Sequence, residues 1–102
     1  MSDSAVTVLF TDIEGSTRMW DRSPGAMAIA LDRHDHLLRQ ALEEGGGTLL
    51  KHTGDGIIAV FEDPEQAVAT AATAQRALLA EPWPAEAPVA VRMAINSGHA
   101  ER

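Results

Sequence analysis

An α+β fold, with an antiparallel sheet covered by helices on one face, is what this sequence predicts. Three observations predict it. Four short segments, residues 5–11, 48–52, 57–61 and 89–95, have the composition and alternation of strands. Two longer segments, residues 25–43 and 64–80, carry apolar residues at helical spacing. The two middle strands are separated only by Thr53-Gly54-Asp55-Gly56, which reads as a hairpin turn slightly longer than the tightest type.

The first strand follows a polar lead, Met1 to Ser4. Val6, Val8 and Phe10 face one way, and Thr7, Leu9 and Thr11 the other. With both faces largely apolar, the strand belongs in the sheet interior. Ser16 or Thr17 is placed to cap a short helical turn through Trp20. Ser23 then caps a longer helix with Pro24 at its first position. Its expected buried stripe is Met27, Ala30, Leu31, His34, Leu38, Ala41 and Leu42, and Gly45-Gly46-Gly47 ends it. After the hairpin, Asp63 caps the last helix, Pro64 occupies its first turn and Gln66 is placed to complete a capping box. The expected buried side of that helix is Ala67, Val68, Ala71, Ala74, Leu78 and Leu79. Pro82-Trp83-Pro84 and Pro88 form an irregular link to the fourth strand, whose Val89, Val91, Met93 and Ile95 share a face. Right-handed crossovers and hairpin adjacency reduce the order β-α-α-β-β-α-β to a ferredoxin-like split β-α-β sandwich. In it, strand three lies antiparallel beside strand one, and Asp12 and Asp55 arrive at the same sheet edge.

Bulk properties bound the function. At 102 residues the chain is one domain. A hydrophobic fraction of 45% with 23% charged residues is that of a globular protein. The net charge of −7 disfavours a nucleic-acid binder but not a nucleotide, because a divalent cation supplies positive charge locally. The absence of cysteine excludes disulfides and thiolate metal sites. No signal peptide is evident, and no apolar run approaches the ~18 residues of a membrane span.

The chemistry-bearing segments are Phe10-Thr11-Asp12-Ile13-Glu14-Gly15-Ser16-Thr17 and Lys51-His52-Thr53-Gly54-Asp55-Gly56. Two carboxylates held together repel, and a divalent cation relieves the repulsion. Their hard oxygens select Mg²⁺ or Mn²⁺, and two such groups can bridge a pair of ions. The backbone N–H groups of Ile13, Glu14, Gly15, Ser16 and Thr17 are expected to cradle phosphates, with the Glu14 side chain directed away. Taken singly, Asp12 and Asp55 are ordinary turn and strand-end residues.

The segments Val8 to Thr17, Lys51 to Phe61 and Val91 to Gly98, in that order and spacing, resemble the class III adenylate/guanylate cyclase catalytic domain. The resemblance covers nearly the whole chain, and its first two blocks are the more specific. It implies a phosphorus–oxygen lyase of signal transduction, cytoplasmic, that converts a nucleoside triphosphate to a 3′,5′-cyclic monophosphate and pyrophosphate. Asp12 and Asp55 match the two catalytic, metal-binding aspartates, and Ile13 matches the residue whose backbone carbonyl contacts metal. One of the two ions, Mg²⁺ or Mn²⁺, would lower the pKa of the ribose 3′-hydroxyl; the other would hold the triphosphate. Lys51 stands where the family selects the purine, which favours ATP over GTP; without the resemblance it is equally a solvated strand lysine. Gly54 joins residues 13–17 and Lys51 as substrate-binding.

The family's catalytic domain is longer than this chain. Residues 1–102 correspond to its first four strands and their helices, a partial, C-terminally truncated domain. The second purine contact, and the asparagine and arginine that stabilise the transition state, belong to the remainder. The chain alone is therefore expected to be inactive, and the intact protein a homodimer with its site across the interface. The alternative is a catalytically silent, cyclase-like regulatory or dimerisation module of a bacterial regulator. A diguanylate cyclase is disfavoured by the missing Gly-Gly-Asp/Glu-Glu-Phe signature.

Other candidates are weaker. Asp32 and His36 share a helix face, but two ligands make a poor zinc site. His34 lies in the apolar stripe and reads as a packed, hydrogen-bonded histidine. His99 is expected to be solvated. Ser16 lacks the G-x-S-x-G context of a hydrolase nucleophile. Trp20 and Trp83 read as packing groups, with Trp20, if exposed, a candidate dimer contact.

Overall fold

The computed structural model describes residues 3–101, and the side chains of residues 5–98. Seven elements follow in the anticipated order: β1 (Asp3–Ile13), α1 (Ser16–Arg22), α2 (Pro24–Gly45), β2 (Thr48–His52), β3 (Gly56–Phe61), α3 (Pro64–Ala80) and β4 (Val91–Glu101). The strands form one antiparallel sheet in the order β2-β3-β1-β4. The α+β, split β-α-β topology is the expected one, with β3 between the two strands that α1 and α2 connect.

Both β1 and β4 end later than their sequences suggest, although β4 begins only at Val91, leaving Val89 in the link before it. The expected strands at 5–11 and 89–95 become eleven-residue strands paired over their whole length. Each residue in such a ladder is stabilised by its partner, so Asp3 and Ser4 join the sheet despite their polarity. Thr7, Leu9, Thr11 and Ile13 turn towards the helices and are buried. Val6 and Val8 are half-buried and Phe10 is 39% exposed, so the other face of the sheet is open.

The main core joins Leu9, Ile57, Ala59 and Phe61 of the sheet to Leu38, Leu42, Ala67, Ala74 and Leu78 of α2 and α3. A smaller cluster of Ile13, Met27, Ala30, Ala87 and Val89 lies under the β1 end. Full burial of a leucine or isoleucine contributes roughly 1.5–3 kcal/mol, so these two clusters hold the strand ends that carry the site.

Several local expectations are corrected. Neither Ser16 nor Thr17 caps α1; Gly15, at φ 67°, does, and Ser16 is the first helical residue. The helix begins where a left-handed glycine turns the chain, which frees the Ser16 hydroxyl for another partner. Ser23 sits at the N-cap of α2, with Pro24 following, but its side chain makes no cap bond. Leu37 replaces the half-buried Leu31 in the α2 stripe. Gly46, at φ 79°, ends the helix, as the glycine run anticipates. In α3, Asp63 accepts the Glu65 N–H at 2.9 Å, a cap worth about 1 kcal/mol. Gln66 does not close a capping box on it; its amide lies beside Gly46. The buried face of α3 is Ala67, Thr70, Ala74 and Leu78, whereas Val68 and Leu79 are 57% and 84% exposed.

Candidate functional site

Asp12 lies one residue before the end of β1, and Asp55 in the turn leading into β3. In the β1–β3 ladder Asp12 is opposite Gly56. One step further, the Ile13 N–H donates to the Asp55 carbonyl at 3.0 Å. Below them, Thr11 Oγ1 accepts the Ile57 N–H at 3.0 Å in a buried bond. Gly56 makes this closeness possible: a Cβ there would fall 1.8 Å from the Thr11 carbonyl oxygen. The hairpin tip is shaped by Gly54, at φ 98°, and closed by the Thr53 N–H donating to the Gly56 carbonyl at 2.9 Å.

Both aspartates line one open cleft of about 450 Å³, together with Ser16, Thr17, Asp21 and Arg92. The buried Ser16 hydroxyl donates to Asp55 Oδ2 at 2.7 Å. Arg92, opposite Asp12 in the β1–β4 ladder, embraces that carboxylate through two nitrogens, with Nε to Oδ1 at 3.0 Å. The Arg92 guanidinium holds the Asp12 carboxyl below its ordinary 3.8, partly opposed by burial. The same pairing raises the pKa of Arg92.

The five N–H groups at residues 13–17 are not all free to meet a ligand. Ile13 donates to Asp55, and Glu14 donates to the Ala90 carbonyl at 2.8 Å. The reading of a five-residue cradle is therefore corrected to Gly15, Ser16 and Thr17, at the start of α1. The reason is that residues 13 and 14 still belong to the sheet's hydrogen-bond system. The Ile13 side chain is buried in the smaller cluster, so only its backbone faces the site. Glu14 is exposed and lines a second cleft with Arg18 and Arg22. Lys51 is exposed on β2 and is not among the residues lining the aspartate cleft.

Arg92, with Arg18 and Asp21 of α1, is a cleft residue that sequence reasoning missed. Its register opposite Asp12 depends on how a strand eighty positions away aligns, which no local pattern encodes. A second constellation was also not anticipated. Asp35 Oδ1 lies 2.9 Å from His34 Nδ1 and 3.1 Å from His52 Nε2. His34 is fully buried, and burial of its cationic form lowers its pKa against the pull of Asp35. Its Nε2 has no hydrogen-bond partner, which fits a bare lone pair once Nδ1–H is given to Asp35. Asp32 and His36 are exposed, and His34 is packed as expected. The His99 side chain lies outside those described.

Fold and cleft together define a class: an α+β domain whose sheet ends in an acidic, oxygen-rich recess. The chain belongs to the family of adenylate and guanylate cyclase catalytic domains, whose pattern it matches over residues 1–99. It is 36% identical over 81 residues to an adenylate cyclase of Lachancea kluyveri, covering 79% of this chain and 4% of that protein. A monomeric adenylate cyclase structure from Trypanosoma brucei superposes with a TM-score of 0.86 at 24% identity, covering 93% of this chain and 57% of the other. The guanylate cyclase domain of a Catenaria anguillulae protein, in complex with GTP, superposes with a TM-score of 0.83 at 21% identity, covering 97% and 59%. These two structures establish the shared fold. Among the described residues no helix is long and apolar enough to cross a membrane.

Proposed function

We propose that this chain supplies the metal- and nucleotide-binding part of a nucleotidyl cyclase that forms a 3′,5′-cyclic monophosphate from ATP, in the cytoplasm where its substrate is found. The observation that carries the reading is the Ile13–Asp55 backbone bond, which puts Asp12 and Asp55 at one recess. The donor set fits Mg²⁺ or Mn²⁺: two carboxylates, a hydroxyl and backbone oxygens, without a thiolate. Among the described residues no three His, Asp or Glu side chains form a metal cage. Ions held there would complete their shell with water and substrate phosphates, as Mg²⁺ commonly does. Bound there, the cations would acidify the ribose hydroxyl and neutralise the triphosphate. Asp12 and Asp55, with the Ile13 carbonyl, would hold them, while Ser16 orients Asp55. Gly15 to Thr17 would approach the phosphates with backbone N–H groups, while Gly54, whose N–H is given to His52, would contribute by shaping the turn. Lys51 would select adenine. The intact protein would pair as a homodimer, for which the open sheet face with Phe10, and the 37%-exposed Trp20, offer apolar contact.

Calorimetry tests this directly. ATP should bind the 102-residue chain only with Mn²⁺ or Mg²⁺, and binding should vanish in Asp12→Ala and Asp55→Ala. Unchanged binding in both variants would remove the proposal. One observation favours the alternative of a silent regulatory module: Arg92 already neutralises Asp12. A cation-independent binding isotherm would select that reading.

A further inference from the structure

We propose that His52 and Asp35 form a brace that positions the hairpin tip, and through it Asp55, for cation binding. The inference rests on the reading of the aspartate cleft given above. It starts from a weakness of the fold. β2 is an edge strand of five residues whose side chains are all exposed. Its ladder with β3 shifts register between Leu49 and Lys51. An edge strand with a bulge and little buried surface holds its own end poorly. Yet this strand leads into the turn that presents Asp55.

His52 is the last residue of β2 and ties that end down twice. Its Nδ1 accepts the Gly54 N–H at 3.2 Å. A ring nitrogen that accepts cannot carry a proton, so the proton of the neutral ring sits on Nε2. That Nε2 lies 3.1 Å from Asp35 Oδ1 on α2 and donates to it. Asp35 is fixed in turn by the buried His34, whose Nδ1 donates at 2.9 Å. A continuous path thus runs from the helix core, through one carboxylate and one imidazole, to the amide of the residue before Asp55. Gly54 adopts φ 98°, so its amide orientation helps set the direction in which the chain leaves towards Asp55. Ser16 holds the Asp55 carboxylate from one side. The His52–Asp35 brace fixes the backbone that delivers it from the other. His52 and Asp35 are positioning residues: neither lines the cleft.

Mn²⁺ alone is the probe, titrated into the full chain by calorimetry and by loss of the free-ion electron paramagnetic resonance signal. His52→Ala and Asp35→Ala should each weaken Mn²⁺ binding by about tenfold, the effect typical of residues that support a metal ligand. The double variant should be no weaker than either single one, because the brace fails as a unit. Asp35→Asn, which keeps an acceptor for His52, should return affinity to within about twofold of the parent, a rescue that general loss of stability would not give. Amide exchange at Gly54 should quicken in His52→Ala while exchange in the β1–β3 ladder stays unchanged. If His52→Ala lowers overall stability too far, His52→Lys keeps a donor for Asp35 but has no acceptor for the Gly54 N–H, and should still bind more weakly than the parent. Parent-like Mn²⁺ affinity in His52→Ala or in that substitute, with Asp55→Ala inactive in binding, would overturn the brace and leave the cleft reading standing. Parent-like affinity in Asp55→Ala would overturn both.

Discussion

The two aspartates carry the same charge into the same recess, but the protein holds them by different means. Asp12 sits within a ladder paired on both sides, and its carboxylate faces a guanidinium on the adjacent strand. Asp55 stands on a glycine-flanked turn, its carboxylate steadied by one hydroxyl and its backbone by one bond to β1. At the strand end position is supplied by the sheet, and the local question is charge. At the hairpin tip charge is left open, and the local question is position. A pair of carboxylates is thus made from one pre-neutralised and one pre-oriented group.

The largest perturbation should come from Gly56→Ala, which attacks the contact joining the two regions. A methyl group pressed on the Thr11 carbonyl must push β3 away from β1. Urea unfolding should show a loss at the upper end of the roughly 1–3 kcal/mol that overpacking costs. Mn²⁺ binding should disappear with it, since Asp12 and Asp55 then separate. Next in size, Ser16→Ala affects the tip alone. Loss of a hydroxyl bonded to a carboxylate should cost about 1–2 kcal/mol in the same unfolding assay. The Asp12 titration, followed by carbon NMR, should stay where it was.

A pH series separates the elements by the window in which each titrates. The folded pKa of His34 is lowered, so the unfolded chain binds more protons below the ordinary value of 6.5. Stability should therefore decline as pH falls from 6.5 to the lowered native value, and this contribution should be flat below it. His34→Gln should remove that slope. The Asp12 contribution has the same sign but a lower window: it is fully present above 3.8 and is lost as pH falls through the depressed native value. The two acid losses should thus be resolved along the pH axis. The smallest effect is expected from Arg92→Ala. The ion pair is exposed and screened by solvent, so stability should hardly change. The Asp12 pKa should rise towards its ordinary value, and Mn²⁺ should bind more tightly by a few-fold because no guanidinium must give way. Weaker binding of Mn²⁺ by this variant would break the comparison, since Arg92 would then be assisting the cation.

Much of this arrangement was legible in the sequence because it is local. Alternation in β1, the proline-capped helices and the hairpin segment fix the element order. Adjacency in that order brings residues 12 and 55 to one sheet edge. What stayed hidden depends on register and rotation. The pairing of Arg92 with Asp12 follows from the alignment of β1 with β4, whose connection is too long to encode it. The face that α3 buries is rotated slightly from the one its sequence suggests, because its many alanines give no clear apolar side. Packing of α3 against the C-terminal end of α2 settles the matter: Gly45 leaves room for Thr70, whose hydroxyl would lie 1.8 Å from a Cβ there. Thr70 is accordingly buried, and Val68 and Leu79 turn outwards. The Asp35–His52 contact joins a helix to an edge strand, which no period in the sequence links.

One consequence of the Asp12–Arg92 pair concerns the order of events in making this protein. A recess of converging negative charge would ordinarily be a burden until an ion arrived to quench it. Here the polypeptide carries its own stand-in cation on the neighbouring strand. If the recess takes divalent ions as proposed, maturation need not wait on their supply, and a chelator should strip ions from the chain while leaving its circular dichroism spectrum intact.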